Sequence, residues 1–490
     1  MNGKNFVTYE QFGAIGDGAH DDMPAIAACH EYANEHRLAV KARDGATYYI
    51  GGKRCPAVIK TNVDFGRANF IIDDREVEDI EAYCFVVASD YETRELDPAS
   101  VTVADGKIDF PHEGNQFVII ESDEQKVFIR RGLNSSGGVN IRDCFIADGD
   151  GNILTDMNWS YSRLSSVLAR CDDDEPITVR GGIFTTVANT YPSEYSYHMR
   201  GIQIMRSHTT VENITHFVTG EGEHGAPYEA FIAIFYANRV TVKDCLLTPR
   251  MTYKTESRSF PGKTVSMGSY DLNFDTSIEL RLININQSID IMDSRYWGIM
   301  GSNFCKDVYL ENCRLSRFDA HMGVLNATVK NCTFGHMCLN LIGKGNFLLE
   351  NSKVYGPKLI NLRPDYGSMW DGAVDIINCE WVPRACEGAV VSSRNDGAHN
   401  FGYEAKMPYR ISIKGLRIAD KDEYADNATP ACYFILGSYT QKYNPDAPFP
   451  YSPTKILEYS DVTADSGAYI TPLKNAEQFQ NVKINQEMEK

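Results

Sequence analysis

The sequence predicts an all-β protein built as a parallel β-helix, a solenoid whose open N-terminal end is capped by a helix. Short apolar segments recur along the chain, Asn and Gly punctuate them, and helical periodicity is almost confined to residues 21–37. Each coil of such a solenoid buries its apolar face only by stacking on the next coil. We therefore expect one β-helix domain over 1–490, with an entry motif and capping helix over 1–50 and C-terminal coils with long loops over 400–490.

The N-terminal helix is predicted by the segment DDMPAIAACHEYANEHR over 21–37. Asp21 or Asp22 would cap its N-terminus, and Pro24 lies in the first turn, where its missing N–H is not needed. A helix over the open end of a solenoid prevents edge-to-edge pairing of the first strands.

The clearest repeats alternate apolar positions and end in Asn followed by a small residue: VYLENCRL (308–315), ATVKNCTF (327–334), FLLENSKV (347–354) and VDIINCEW (374–381). Asn tolerates left-handed backbone at a tight bend, so we expect a column of bends at Asn312, Asn331, Asn351 and Asn378. An adjacent column of cysteines would pack inward as small hydrophobic side chains: Cys144, Cys245, Cys313, Cys332 and Cys379. Weaker copies of the repeat lie at 139–146, 177–184, 210–217, 240–247 and 409–418.

Charge and composition narrow the class of partner. The chain has 48 Lys and Arg against 66 Asp and Glu, a net charge of −18, which argues against nucleic acid and against an anionic membrane surface. It has no apolar run of about eighteen residues, and its N-terminus lacks the regions of a signal peptide. We expect a cytoplasmic protein, or a secreted one if a leader has been removed. Thirteen Cys without a CxxC pair indicate reduced, buried thiols.

The segment FGAIGDGAHDDMPAIAA over 12–28 resembles the entry motif of the pectate-lyase-like and polygalacturonase-like right-handed parallel β-helix proteins. The resemblance rests on Gly13, Ala14, Gly16, Asp17, Gly18, Asp21, Asp22, Ala25 and Ile26. It implies right-handed coils and a carbohydrate-related role: hydrolysis, β-elimination, epimerisation, or glycan binding as in viral tail fibres. The polygalacturonase signatures Asn-Thr-Asp, Gly-His-Gly and Arg-x-Lys are missing, so no catalytic residue is carried over from that branch.

A polar outer wall is predicted when the segments after each bend are aligned. SRYWGIMG (294–301), SRFDAHMG (316–323) and GHMCLNLI (335–342) would occupy the same strand of successive coils, with GSYDLNFD (268–275) before them and PKLINLRPD (357–365) after them. Alternate residues of a strand face opposite sides, so one set is apolar and the other polar. The outward columns are Ser269, Arg295, Arg317 and His336; then Asp271, Trp297, Asp319 and Cys338; then Asn273, Ile299, His321, Asn340 and Asn361.

Paired carboxylates in this wall suggest acid–base chemistry. Coils stack about 4.8 Å apart, so Asp271 and Asp319 are expected roughly 9–10 Å apart at their backbones. Inverting glycosidases separate their two carboxyl groups by about 6.5–9.5 Å. Asp293 or Asp365 could instead partner Asp319, and His321 could tune the acid or transfer a proton itself.

The sequence therefore favours a glycoside hydrolase that cleaves an oligo- or polysaccharide in a groove on the outer wall, without a cofactor or metal. Its sugar would be bound by Arg295, Trp297, Arg317, Asn340, Arg363, Asn273 and His336. One alternative is a polysaccharide lyase acting on uronates, with calcium as its candidate metal, in which Arg295, Arg317 or Arg363 neutralises the carboxylate and His321 or a Lys abstracts the C5 proton. The other is a non-catalytic glycan-binding β-helix, for which Trp297 and the Asn column matter and Asp319 is dispensable. Oligomeric state stays open.

Overall fold

The computed structural model describes residues 5–130, 135–193, 197–257, 260–266, 270–298, 300–363, 370–384, 388–395, 405–425, 430–441, 451–477, 479 and 481–486. The chain divides into two compact units. The first unit comprises 1–119, 144–155 and 167–300, and the second comprises 120–143, 156–166 and 301–490. The single domain expected over 1–490 stays a prediction.

The parallel strands of the first unit fall into two sets, according to the sheet to which they belong. One set contains Phe6–Thr8, Asp17–Asp21, Ala39–Lys41, Thr47–Ile50, Val63–Asp73, Ile177–Val187, Thr209–Glu212, Thr215–Thr219, Thr241–Lys243, Leu246–Leu247, Ile278–Ile283 and Asn286–Gln287. The other set contains Ala57–Ile59, Phe85–Val87, Ile202–Ile204, Ile232–Phe235 and Leu272–Asp275. The strand Met300–Asn303 lies where the chain passes from the first unit to the second.

The second unit repeats this arrangement. One set contains Cys305–Glu311, Arg314–Leu315, Val324–Lys330, Thr333–Phe334, Gly343–Glu350, Lys353–Gly356, Trp370–Pro383, Arg410–Ile418, Ile456–Ala464 and Lys483–Gln486. The other contains Phe318–Asp319, Leu339–Leu341, Ile360–Leu362, Ala389–Asn395, Cys432–Gln441 and Tyr469–Leu473.

The predicted repeats are confirmed residue by residue. Val308 pairs with Ala327, Ala327 with Phe347, and Phe347 with Val374 in parallel register, which is the alignment that the repeats gave. The Asn column lies at left-handed bends, with φ of 54°, 53°, 49° and 52° at Asn312, Asn331, Asn351 and Asn378. The cysteines that follow are buried, and burial raises the pKa of the Cys379 thiol to about 11, so it stays a neutral thiol.

One predicted repeat is wrong. Residues 139–146 belong to the strand Ser135–Ala147, which lies in a separate sheet with Arg94–Leu96, Gln116–Arg130 and Ser166–Cys171. Cys144 and Ile146 pack with Phe117, Ile119 and Ile278 in their own cluster. The alternation of apolar residues indicates that one face is buried, but not which sheet buries it.

The remaining strands form three two-stranded sheets: Thr102–Ala104 with Lys107–Asp109, Lys254–Ser257 with Phe260–Ser266, and Ala405–Lys406 with Tyr451–Ser452.

The capping helix is confirmed as Met23–His36, with short 3-10 turns at Tyr9–Phe12 and Pro98–Ser100. Asp22 is its N-cap residue, but the Asp22 carboxylate accepts hydrogen bonds from the backbone N–H of Ile15 (2.6 Å) and Gly16 (3.1 Å) instead of capping the helix. The carboxylate therefore ties the entry loop to the helix start. In the described part of the chain, no helix is long and apolar enough to span a membrane.

Stability should fall in acid because of His30 in this helix. Its ring is fully buried, its Nε2 lies 3.1 Å from the Tyr9 hydroxyl, and burial lowers its pKa to about 3. A histidine that is neutral in the folded state and titrates near 6.5 when unfolded contributes stability above pH 6.5 that is lost as the pH falls. We expect a loss of about 2–3 kcal/mol in the free energy of unfolding between pH 7.5 and pH 4.5.

The measurement is the urea-unfolding midpoint at both pH values for the wild type, His30→Gln and His36→Gln. His30→Gln should lose part of the acid sensitivity. His36 is exposed at the end of the same helix, so His36→Gln should behave like the wild type. Equal acid sensitivity in all three proteins would contradict the assignment to His30.

Candidate functional site

The outward face of the second strand set in the first unit brings several chemically distinct groups together. Val86, Gln203, Ala233 and Asn273 pair in parallel register, so they form one column across four strands. Their chain neighbours face the core and are fully buried: Phe85, Ile202, Ile232 and Leu272. The predicted outward direction of Asn273 therefore agrees with the structure.

Glu229 lies at the edge of this face. It ends the loop 220–229, and its backbone N–H donates to the carbonyl of His198 at 3.0 Å. Its carboxyl Oε1 accepts a hydrogen bond of 2.5 Å from the Asn273 side-chain amide. Burial and, to a smaller extent, the charge of Asp275 raise the pKa of Glu229 to about 7, against the lowering effect of the Asn273 hydrogen bond. Glu229 and Asp275 both stay partly exposed.

The floor beside Glu229 is apolar. Tyr83, Ala230 and Ala233 form a buried cluster against which Val86, Met199 and Phe235 pack. The side chains of Val86, Met199 and Phe235 remain partly exposed, so the floor reaches the surface. An apolar surface with an aromatic ring, bordered by carboxyl and amide groups, is the chemistry that sugar-binding sites use.

Sequence reasoning missed Glu229. From sequence, the acidic loop EGEHGAPYE, 221–229, has two interpretations: a solvated turn, which we favour, or a border of the groove. The available signal was the alternation in GSYDLNFD, which also places Asp275 on the outward side with Asn273. Only the tertiary fold brings the end of the loop against that strand.

Asp271 does not lie in the wall. It precedes the strand Leu272–Asp275, and its side chain is fully buried at a corner of the first unit. Its Oδ2 lies 2.9 Å from His216 Nδ1 and accepts from the Thr248 N–H at 3.1 Å, while Arg250 Nε lies 3.8 Å from its Oδ1. The chain turns before Leu272, so strand alternation does not extend to Asp271, and its predicted outward orientation is wrong.

Residues 294–301 are not the wall strand that the alignment predicted. Tyr296 pairs antiparallel with Met251, and the backbone N–H of Trp297 donates to the carbonyl of Arg250 at 3.3 Å. The strand of this coil begins only at Met300. Asp293 and Arg295 form an ion pair at the surface, with Arg295 Nη2 2.6 Å from Asp293 Oδ2.

In the second unit, Asp319 is buried between two guanidinium groups. Its Oδ2 forms an ion pair with Arg317, and its Oδ1 accepts from Arg363 Nη1 at 2.9 Å. The exposed fraction is 0% for Asp319 and 2% for Arg317. Neither carboxylate oxygen of Asp319 faces solvent, and two cations hold it.

The register of this wall differs from the prediction by two residues. Asp319 pairs with Asn340, and Asn340 with Asn361, whereas the alignment had placed Asp319 beside Cys338. The chain makes a turn over 335–338, where Cys338 has a left-handed φ of 48°, and this turn takes up the extra residues. The predicted pairing of Asn340 with Asn361 is confirmed, and their side-chain amides are joined by a hydrogen bond of 2.8 Å.

The remaining predicted residues of the second unit are distributed around this wall. His321 Nδ1 lies 2.9 Å from the Asn303 side-chain oxygen, and the Asn340 amide donates to the carbonyl of Met337 at 2.8 Å. His336 is partly exposed in the turn before the strand. Asp365 lies outside the described residues, as do Ser269 and Ile299 of the predicted columns. The roles assigned to all these residues from sequence stay predictions.

Among the residues that the structure describes, no group of three or more His, Cys, Asp or Glu side chains is placed to hold a metal ion.

No family model matches the chain, and no curated protein matches it. The solved structures of three bacteriophage tailspikes are similar to it. The tailspike of Pseudomonas phage phi297 is 12% identical, covering 99% of this chain and 84% of its own, with a TM-score of 0.59. The tailspike of Acinetobacter baumannii bacteriophage AP22, solved with a capsular saccharide, is 10% identical; the match covers 98% of this chain and 79% of the tailspike chain, with a TM-score of 0.50. The tailspike of Pseudomonas phage LKA1 is 11% identical; the match covers 99% of this chain and 78% of the tailspike chain, with a TM-score of 0.50. The chain thus has the right-handed parallel β-helix fold that its resemblance to the pectate-lyase-like and polygalacturonase-like proteins implied.

Proposed function

We propose that this protein is a glycoside hydrolase whose active site is the outward face around Glu229 in the first unit. The observation that carries the proposal is a partly exposed carboxyl group, Glu229, that is hydrogen-bonded to Asn273 and influenced by the charge of a second carboxyl group, Asp275, beside an apolar floor. Two carboxyl groups whose environments separate their roles are what glycoside hydrolysis requires.

In this mechanism Glu229 is the general acid. It gives its proton to the glycosidic oxygen as the bond from that oxygen to the anomeric carbon breaks. Asp275, as a carboxylate, either takes a proton from the water that attacks the anomeric carbon or attacks that carbon itself. The separation of the two carboxyl groups around a bound sugar decides between these routes, and with them the stereochemical outcome. Asn273 holds the Glu229 carboxyl by its amide hydrogen bond.

A saccharide as ligand is also supported by the tailspike of phage AP22, which shares the fold and was solved in complex with a capsular saccharide. Fold alone does not give an activity, so the residues at the face carry the argument. The sequence-based hypothesis centred on Asp319 competes with this proposal.

The experiment that tests the proposal is incubation of the full chain with a panel of neutral and uronate-containing glycans, with and without a calcium chelator. New reducing ends without unsaturated product support a hydrolase. Unsaturated product that is lost with the chelator would support a calcium-dependent lyase instead. Glycan binding without any product would leave a binding protein, for which the apolar floor of Val86, Met199 and Phe235 would be sufficient.

Activity should fall as the pH rises through about 7. The general acid must be protonated, and burial and Asp275 raise the pKa of Glu229 to about 7, so its protonated fraction decreases above that pH. We expect kcat/KM to decline about tenfold for each pH unit above 8. The check is a pH profile of the wild type. A rate that stays constant up to pH 9 would contradict Glu229 as the acid.

A further inference from the structure

The hydroxyl group of Tyr83 is unusual within the proposed site. Tyr83 is 4% exposed, and its hydroxyl has no hydrogen-bond partner among the described residues. A buried hydroxyl without a partner is costly, and native proteins keep few of them. Burial raises the pKa of Tyr83, and the charge of Glu229 raises it further, so the group stays a protonated donor. The charge of Glu229 acts on this donor, and a ligand oxygen that displaces the side chains covering the hydroxyl would supply its missing partner.

The charges at this face indicate what kind of sugar can bind. Glu229 and Asp275 are both acidic, and the other outward polar side chains described on these strands, Gln203 and Asn273, are uncharged amides. A uronate carboxylate beside Glu229 would add a negative charge near Asp275 in a half-buried environment, where like charges repel more strongly than in water. An uncharged ring has no such penalty, and its C–H face matches the apolar floor of Val86, Met199 and Phe235.

We propose that the sugar unit bound beside Glu229 is uncharged, and that the Tyr83 hydroxyl donates a hydrogen bond to one of its oxygen atoms. The inference rests on the proposed function, because it takes the face around Glu229 as the glycan site. It names the substrate class that the proposed function left open. It also assigns Tyr83 a specificity role, since its hydroxyl gains a partner only in the complex.

The test separates binding from turnover by using full-length Glu229→Gln, which keeps the shape of the protonated acid and removes its proton-donor chemistry. Its affinity is measured by calorimetry for uronate-containing oligosaccharides, each paired with its carboxyl-reduced form, and for neutral hexose and N-acetylhexosamine oligosaccharides. We expect the reduced member of a pair to bind at least about tenfold more tightly than the uronate form. Preference for the uronate form, or no binding to any member of the panel, would overturn the inference.

Tyr83→Phe in the Glu229→Gln background tests the hydroxyl. Affinity for the neutral sugar should fall by about tenfold, the usual effect of losing one buried hydrogen bond. The unfolding midpoint without ligand should not fall, because the hydroxyl has no partner to lose among the described residues. Tyr49→Phe is the matched control, since the Tyr49 hydroxyl donates to Asp73 at 2.9 Å and not to this face. Unchanged affinity in Tyr83→Phe would overturn the role of the hydroxyl.

Gln203→Lys in the Glu229→Gln background is expected to increase the affinity for uronate oligosaccharides. Gln203 lies in the outward column next to Ala233, and a cation there would offset the charge of Asp275, the acidic group of the face that remains in this background. Uronate oligosaccharides should gain affinity relative to their reduced forms, and no gain would count against the electrostatic argument. If neutral sugars bind but the wild type releases no reducing ends, the inference on substrate class stands and the hydrolase proposal fails.

Discussion

Glu229→Gln should lower kcat by about a hundred- to ten-thousandfold, the contribution that a positioned general acid makes. Gln keeps the size of the side chain and can still accept the hydrogen bond from Asn273, but it has no proton to give to the leaving oxygen. Folding should tolerate the change, because burial raises the pKa of Glu229 to about 7 and already favours its neutral form. The unfolding midpoint should therefore equal or exceed that of the wild type.

The measurement is the rate of reducing-end release by Glu229→Gln, Asp275→Asn and Glu212→Gln, on whichever glycan the wild type cleaves. Glu212 is the matched control in the same unit, since its carboxylate forms an ion pair with Lys243 at 2.8 Å. Glu212→Gln should retain wild-type activity, and Asp275→Asn should lose about as much as Glu229→Gln. Wild-type rates in Glu229→Gln would remove Glu229 from the reaction.

Asp319→Asn should be among the most destabilising single changes in the second unit, by about 3–5 kcal/mol. Asn is neutral, so Arg317 and Arg363 would lose the carboxylate to which both are now paired. Removing one partner from a buried ion network leaves uncompensated charge where water does not solvate it. Urea unfolding of the wild type and the variant measures the loss.

Asp293→Asn is the control for Asp319→Asn. It breaks an ion pair with Arg295, whose side chain is 68% exposed, and surface pairs contribute only about 0–1 kcal/mol. We expect its unfolding midpoint to stay near that of the wild type. The opposite result for Asp319→Asn, an unchanged midpoint with lost glycan cleavage, would establish Asp319 as the catalytic carboxyl group that the sequence predicted.

The sequence by itself determined the coil architecture, because the information is local. Left-handed bends at Asn312 and Asn331 and the alternation between them depend on single residues and their neighbours, and the parallel register of Val308, Ala327 and Phe347 follows from stacking these repeats. The capping helix was predictable for the same reason: its N-terminal residues and Pro24 lie next to one another in the chain.

Only the tertiary structure decided the site. Asp271 was predicted on the wall, but a turn before Leu272 rotates it into a buried corner. Asp319 was predicted on the wall and lies there, but Arg363 from a later coil covers its carboxylate. Glu229 and Asn273 are 44 residues apart in sequence, and only the parallel stacking of their coils brings them within hydrogen-bond distance. The corners and loops of the fold set the burial and pKa of a carboxyl group. Because corners and loops do not follow the sequence repeat, the repeat does not predict them.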